Sequence, residues 1–146
     1  MDYLSEVEYL KPAVTEAADM FILPRFRNLK DGDVLNKGDF DKTVTAADIE
    51  TSTYLLEHCR KRFPGSFTEE DMDDRRFEHD VLWSIDPLDG TDEFRHGRED
   101  FGIQAALLEK RDGGISQQQG LFTCLSEEPL FTPRSQKAPL SMTRIV

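Results

Sequence analysis

The sequence predicts an α+β fold in which two N-terminal helices pack on a largely antiparallel sheet. Apolar residues recur every three or four positions in two early segments, which indicates helices with one buried face. Between residues 101 and 107 they alternate with smaller or polar residues, which indicates a half-buried strand. Helices that cover one face of an antiparallel sheet make an α+β layer.

The first helix is predicted over residues 4–21, and Pro12 lies inside its apolar pattern. Because a proline removes a backbone hydrogen bond and costs about 3 kcal/mol in a helix interior, we expect a kink or two helices that meet near Pro12. Pro24 should end the helix. The residues that follow, 25–42, are rich in charged residues and glycine, which is typical of a loop.

The second helix is predicted to begin near Thr45 and to close at Pro64-Gly65. Thr45 and Asp48 are three residues apart, so they fit a capping box with aspartate in place of the usual glutamate. Asp48 therefore has two interpretations, a helix-capping carboxylate or a carboxylate of a functional site. One residue can do both.

The strands of the predicted sheet follow the second helix. A short strand over residues 66–68 leads into Glu69 and Glu70, and an apolar strand covers residues 81–85. After the strand at 101–107, Asp112-Gly113-Gly114 predicts a hairpin. Residues 120–125 should then return antiparallel, and residues 129–132 could add an edge strand. We predict one domain over residues 1–133 and a tail over residues 134–146.

The composition of the chain argues against two classes of partner, nucleic-acid polymers and membranes. Its net charge of −11 argues against binding to nucleic-acid polymers, whose phosphates require lysine and arginine. The sequence has no apolar run of 18 residues and no basic then apolar N-terminus, so we expect no membrane association and a cytoplasmic location. Its two cysteines have no metal-binding spacing and are expected to be inert thiols.

The chemistry is expected in Asp86-Pro87-Leu88-Asp89-Gly90-Thr91, directly after the apolar strand. Pro87 fixes its own φ, so the turn between Asp86 and Asp89 should be stiff and both carboxylates can converge on one point. If a helix begins at Gly90-Thr91, its free N–H groups face the same point and suit a phosphate. Bound magnesium would supply the local cations that an anionic substrate needs. The alternative is a strand-end turn, in which aspartate and glycine are common for backbone geometry alone.

Three motifs in order resemble the inositol monophosphatase superfamily of magnesium-dependent, often lithium-sensitive phosphomonoesterases. The first is Asp86-Pro87-Leu88-Asp89-Gly90-Thr91 after Trp83-x-Ile85, the second is Val44-Thr45-Ala46-Ala47-Asp48, and the third is Phe63-Pro64 followed by Glu69-Glu70. Leu88 and Glu93-Phe94 make the first motif more similar to the 3'(2'),5'-bisphosphate nucleotidase branch. The resemblance covers residues 5–133 and implies the first α+β domain of the family's fold.

The metal ligands that this resemblance implies are Glu69, Asp86, Leu88 and Asp89. Glu69, Asp86 and the Leu88 carbonyl would hold a first magnesium ion, and Asp86 would bridge to a second ion that Asp89 also binds. Oxygen donors of this kind are the ligands that magnesium prefers. Two such ions can clamp the attacking and leaving oxygens of a phosphoryl displacement and activate a water.

The catalytic residues that the resemblance implies are Glu70, Thr91 and Asp48. Thr91, hydrogen-bonded to Asp48, would orient and deprotonate the attacking water, and Glu70 would hold that water in position. Substrate binding is assigned to Asp89, Gly90 and Thr91, with the backbone N–H groups of Gly90 and Thr91 on the phosphate.

The expected activity is hydrolysis of a small phosphate monoester, with 3'-phosphoadenosine 5'-phosphate first and an inositol or sugar monophosphate next. Members of the superfamily carry a second domain with a further metal-binding aspartate in a Trp-Asp-x-Ala-type motif, whereas the one tryptophan of this sequence is Trp83. The alternative is a truncated, non-catalytic remnant that keeps the fold and part of the metal site. The sequence does not determine the oligomeric state, but dimers are common among the proteins that the chain resembles, which leaves a homodimer open.

Overall fold

A computed structural model describes the chain over residues 3–36, 43–71, 74, 78–111, 114–124 and 142–145. The predicted α+β architecture is confirmed: helices lie against a five-stranded sheet that is largely antiparallel.

The helical layer consists of α1 (Tyr3–Ala17) and α2 (Ala46–Arg60). Pro12 lies within α1 on its exposed side, so the predicted division into two helices at Pro12 is wrong. The neighbouring Leu10, Ala13 and Val14 are buried in the core. Burial of such side chains stabilises by roughly 1.5–3 kcal/mol for a large apolar residue, which offsets the one hydrogen bond that proline removes.

A π-helical turn, Ala18–Ile22, follows α1. The Leu23 N–H donates to the Ala18 carbonyl five residues earlier, at 2.9 Å. This wider turn keeps both Ala18 and Ile22 buried in the core. The helical segment ends before Pro24, as the sequence predicts.

The segment predicted as a loop over residues 25–42 contains a strand. β1 (Val34–Asn36) pairs antiparallel with β2 (Thr43–Thr45), which leads directly into α2. The sequence around β1 resembles a loop because its two large apolar residues, Val34 and Leu35, lie among charged residues. Both side chains are exposed in the structure. Only its pairing with β2, several residues later, makes it a strand.

The main sheet has the strand order β3-β4-β5-β6-β7. Its strands are β3 (Phe67–Thr68), β4 (Val81–Asp89), β5 (Gly102–Arg111), β6 (Gly114–Cys124) and β7 (Met142–Ile145). β3 runs parallel to β4, and every other neighbouring pair is antiparallel. A short helix, α3 (Thr91–Arg95), connects β4 to β5.

The second half of the sheet differs from the prediction in extent. The predicted hairpin is confirmed, because Arg111 pairs with Gly114, but β6 begins at Gly114 rather than near residue 120. β7 lies within the segment assigned to a tail and pairs with β6. The predicted edge strand at residues 129–132 lies outside the described residues.

The core lies between the helical layer and one face of β4 and β5. Its large fully buried side chains from the sheet include Trp83, Ile85, Ile103 and Leu107. These residues alternate along their strands, so the side chains between them point to the opposite face. In the part of the chain that the structure describes, none of the helices has the length and apolarity needed to cross a membrane.

Candidate metal centre and active site

A β-bulge brings Asp86 and Asp89 to one face of the sheet. Asp86 pairs with Gln104 and Asp89 with Gly102, so two residues of β4 oppose one residue of β5. In a regular strand, residues three apart point to opposite faces, and the extra residue restores them to the same face. The predicted turn between the aspartates is therefore a bulge inside a continuous strand. Pro87 is tolerated there because a bulged residue has no ladder hydrogen bond to lose.

The end of the parallel strand β3 lies beside this bulge. Thr68 pairs with Ile85, so Glu69 and Asp86 are the next residues of two neighbouring parallel strands. The Thr68 hydroxyl forms a 2.7 Å hydrogen bond with Ser52 and accepts the N–H groups of Glu70 and Asp71 at 3.2 and 3.0 Å. A buried threonine thus fixes the turn that carries Glu69 out of the strand.

Gly90 allows β4 to pass directly into α3. It is the N-cap of α3 and has φ 82°, a left-handed conformation that glycine adopts without strain. A Cβ at this position would lie 2.4 Å from the Asp100 carbonyl oxygen. The predicted helix start at Gly90-Thr91 is confirmed, and the close approach of residue 100 requires glycine there.

Asp48 and Thr91 meet beneath the bulge. The Asp48 carboxylate accepts hydrogen bonds from the Thr45 N–H at 2.7 Å and from the Thr45 hydroxyl, which confirms the predicted capping box. The Thr91 hydroxyl lies 2.9 Å from Asp48 Oδ1 and 2.9 Å from the Leu88 carbonyl. One hydroxyl proton is therefore shared between two acceptors, and Asp48 is both the helix cap and a neighbour of the predicted site.

The charges around Asp86 are not balanced by the described protein groups. Burial, which has the largest effect, and the carboxylates of Glu69, Asp89 and Asp48 together raise the pKa of Asp86 to about 7. The Leu88 N–H, which donates to Asp86 Oδ1 at 3.1 Å, opposes this shift. The pKa of Asp48 is also raised, by burial, although hydrogen bonds from Thr45 and Thr91 counteract this effect.

The donor set fits magnesium by its chemistry. Within the described residues, no three carboxylate, histidine or cysteine side chains are already arranged as a metal-binding group. Their charges nevertheless act on one another, since Glu69 and Asp89 both raise the pKa of Asp86. Carboxylates of like charge repel one another. A hard divalent cation would compensate this repulsion and draw the three side chains together.

Glu70 is placed differently from the other predicted residues. It lies with Asp71, Ile49 and Arg60 along a cavity of about 450 Å³ beside α2. The charges that raise the pKa of Asp86 come from Glu69, Asp89 and Asp48 instead. Adjacent residues after a strand point in different directions, so the pair Glu69-Glu70 divides between the bulge and this cavity.

Gln104 is a neighbour of the candidate site that the sequence does not reveal. Its amide nitrogen donates to Asp89 Oδ2 at 2.6 Å, and its backbone lies opposite Asp86. An exposed glutamine on a strand is common, so no sequence pattern marks Gln104. Only the register of β4 against β5 identifies it as a neighbour of both aspartates.

The chain is similar to a family of phosphatases over most of its length. Residues 4–116 match the family described as "Inositol monophosphatase family". An inositol-1-monophosphatase of Bacillus subtilis is 29% identical over 117 residues, which cover 75% of this chain and 44% of that protein. A 3'-phosphoadenosine 5'-phosphate phosphatase of Mycobacterium leprae is 40% identical over 75 residues, which cover 49% of this chain and 28% of that protein.

Solved structures show the same fold. An inositol monophosphatase of Thermotoga maritima superposes with a TM-score of 0.67 at 26% identity, covering 88% of this chain and 46% of that one. An IMPase/NADP phosphatase in complex with Mg²⁺ and phosphate has a TM-score of 0.66 at 18% identity, covering 87% of this chain and 47% of that one. The chain thus spans less than half the length of the proteins it matches.

Proposed function

This chain belongs to the inositol monophosphatase family, and we propose that it provides the metal- and phosphate-binding half of a magnesium-dependent phosphomonoesterase. The observation that carries this proposal is the bulge at the end of β4, which aims Asp86 and Asp89 to one face beside Glu69. The substrate class is a small phosphorylated metabolite. The preferred substrate is 3'-phosphoadenosine 5'-phosphate, on which the M. leprae relative is named to act.

Glu69, Asp86, Asp89 and the Leu88 carbonyl would hold the magnesium. The carbonyl oxygen has two lone pairs, so it can accept the Thr91 hydroxyl and still bind a cation. When bound, magnesium supplies positive charge that neutralises the phosphoryl oxygens and promotes ionisation of water.

The Thr91–Asp48 pair provides a route for the proton of the attacking water. Thr91 Oγ1 accepts that proton while its own hydroxyl proton passes to Asp48 Oδ1, along the existing 2.9 Å hydrogen bond. Because burial raises the pKa of Asp48, its carboxylate is a stronger base than an exposed aspartate. The first N–H groups of α3 lack acceptors within the helix and would bind the phosphate near Gly90 and Thr91.

The test is phosphate release from 3'-phosphoadenosine 5'-phosphate and from inositol 1-phosphate, with magnesium and with excess chelator. We expect release that requires magnesium, favours the first substrate, and falls more than about 100-fold in Asp86→Asn. Glu8→Gln, which removes one charge from an exposed side chain of α1, is the matched control and should keep full activity.

Two results would contradict the proposal. Undiminished release in Asp86→Asn would remove Asp86 from the mechanism. Magnesium binding without any phosphate release would support the alternative of a truncated, non-catalytic chain.

A further inference from the structure

The two aspartates of the bulge share one feature, a neutral N–H donor on a single carboxylate oxygen. Asp86 Oδ1 accepts the Leu88 N–H at 3.1 Å, and Asp89 Oδ2 accepts the Gln104 amide at 2.6 Å. A lone pair engaged by a hydrogen bond is a weaker metal ligand than a free one. Each hydrogen-bonded oxygen keeps one further lone pair, but the opposite oxygens, Oδ2 of Asp86 and Oδ1 of Asp89, are the better ligands.

The two donors differ in origin. The Leu88 N–H belongs to the backbone and follows from the bulge itself, whereas the Gln104 donor is a side chain whose contact with Asp89 depends on its identity. The donor in this hydrogen bond is the amide nitrogen of Gln104, because an ionised carboxylate accepts hydrogen bonds and does not donate them. As a neutral donor, it orients Asp89 without cancelling the negative charge that a cation needs.

The number of oxygens that a carboxylate offers distinguishes magnesium from calcium. Magnesium demands near-octahedral geometry and is usually bound through one or two carboxylates together with water and phosphate oxygens. Calcium accepts six to eight oxygens and often binds both oxygens of one carboxylate. A hydrogen bond that takes one lone pair weakens that oxygen as a ligand, and so disfavours calcium bound through both oxygens more than magnesium bound through one.

We propose that Gln104 is a positioning residue that weakens one oxygen of Asp89 as a ligand, favours binding through the other, and so shifts the site toward magnesium over calcium. This inference rests on the proposed function, because it requires that Asp89 binds a divalent cation. It adds a determinant of metal choice that lies on β5, outside the three motifs that carry the resemblance.

The test compares Mg²⁺ and Ca²⁺ binding by isothermal titration calorimetry with the full chain, after removal of metals by chelator. In Gln104→Met, which keeps the length of the side chain and removes the donor, calcium affinity should rise relative to magnesium affinity. The expected shift in the ratio is roughly threefold to tenfold, the effect of losing one hydrogen bond. Lys110 is also exposed on β5, so Lys110→Met is the control and should leave the ratio of calcium to magnesium affinity unchanged.

The outcomes separate this inference from the proposed function. If the unmodified chain binds neither ion, the proposed function fails. If it binds magnesium and Gln104→Met shows the same ratio, the assignment of Gln104 is wrong while the proposed function stands. Circular dichroism checks the fold of each variant. Gln104→Ala repeats the comparison should the methionine variant not fold, since it also lacks the donor.

Discussion

The buried Asp48 at the start of α2 and the half-buried Asp86 near the end of β4 are two carboxylates with different surroundings. Burial raises the pKa of both. Around Asp48, hydrogen bonds from Thr45 and Thr91 oppose the effect of burial. Around Asp86, further carboxylates add to it. Hydrogen bonds thus offset part of the cost of burying the first group, whereas the second has neighbours of like charge, whose repulsion a bound cation would compensate.

This difference predicts that removal of the two carboxylates has opposite effects on stability. Asp48→Ala leaves the N–H and the hydroxyl of the buried Thr45 without the Asp48 acceptor, whereas the Thr91 hydroxyl keeps the Leu88 carbonyl. We expect the free energy of unfolding to fall by about 2 kcal/mol, the cost of such unsatisfied donors. Urea unfolding in excess chelator measures it. An unchanged midpoint would show that Asp48 is not the structural member of the pair.

For Asp86→Asn, in excess chelator at pH 8, we expect the free energy of unfolding to rise, by less than it falls in Asp48→Ala. Removal of the charge relieves repulsion from Glu69 and Asp89, so the variant should be more stable than the original chain. The gain should be on the order of 1 kcal/mol, since the partly exposed position lets solvent screen the repulsion. Loss of stability in this variant would contradict the unbalanced charge at Asp86.

The dependence of that gain on pH sharpens the comparison further. The folded-state pKa of Asp86 is raised to about 7, whereas an aspartate in the unfolded chain titrates near 3.9. The folded state therefore holds the proton more tightly, and the contribution of Asp86 to stability is lost as the pH rises from about 4 through about 7. The advantage of Asp86→Asn should be near zero at pH 4 and grow toward pH 8. A difference that does not vary with pH would contradict the raised pKa.

Much of the local structure follows from short sequence signals. The capping box of Thr45 and Asp48, the helix start at Gly90-Thr91 and the hairpin between β5 and β6 are set by residues a few positions apart. Such signals concern backbone hydrogen bonds that close locally, so the sequence alone is sufficient to predict them.

What the sequence does not predict depends on contacts between distant residues. The continuity of α1 through Pro12 depends on packing of its neighbours against the sheet, and β1 exists because it pairs with β2. The bulge in β4 and the contact of Gln104 with Asp89 follow from the register between two strands. For the same reason, the direction of Glu70 toward α2 could not be read from the pair Glu69-Glu70.

Magnesium binding tests the central claim most directly. Isothermal titration of Mg²⁺ at pH 8 should show saturable binding to the chain and to the control Glu8→Gln. Binding should be at least about tenfold weaker in Glu69→Gln and in Asp86→Asn, because each replaces a carboxylate oxygen with an amide nitrogen and removes a negative charge. Equal binding by all four proteins would contradict a metal centre built from the ends of β3 and β4.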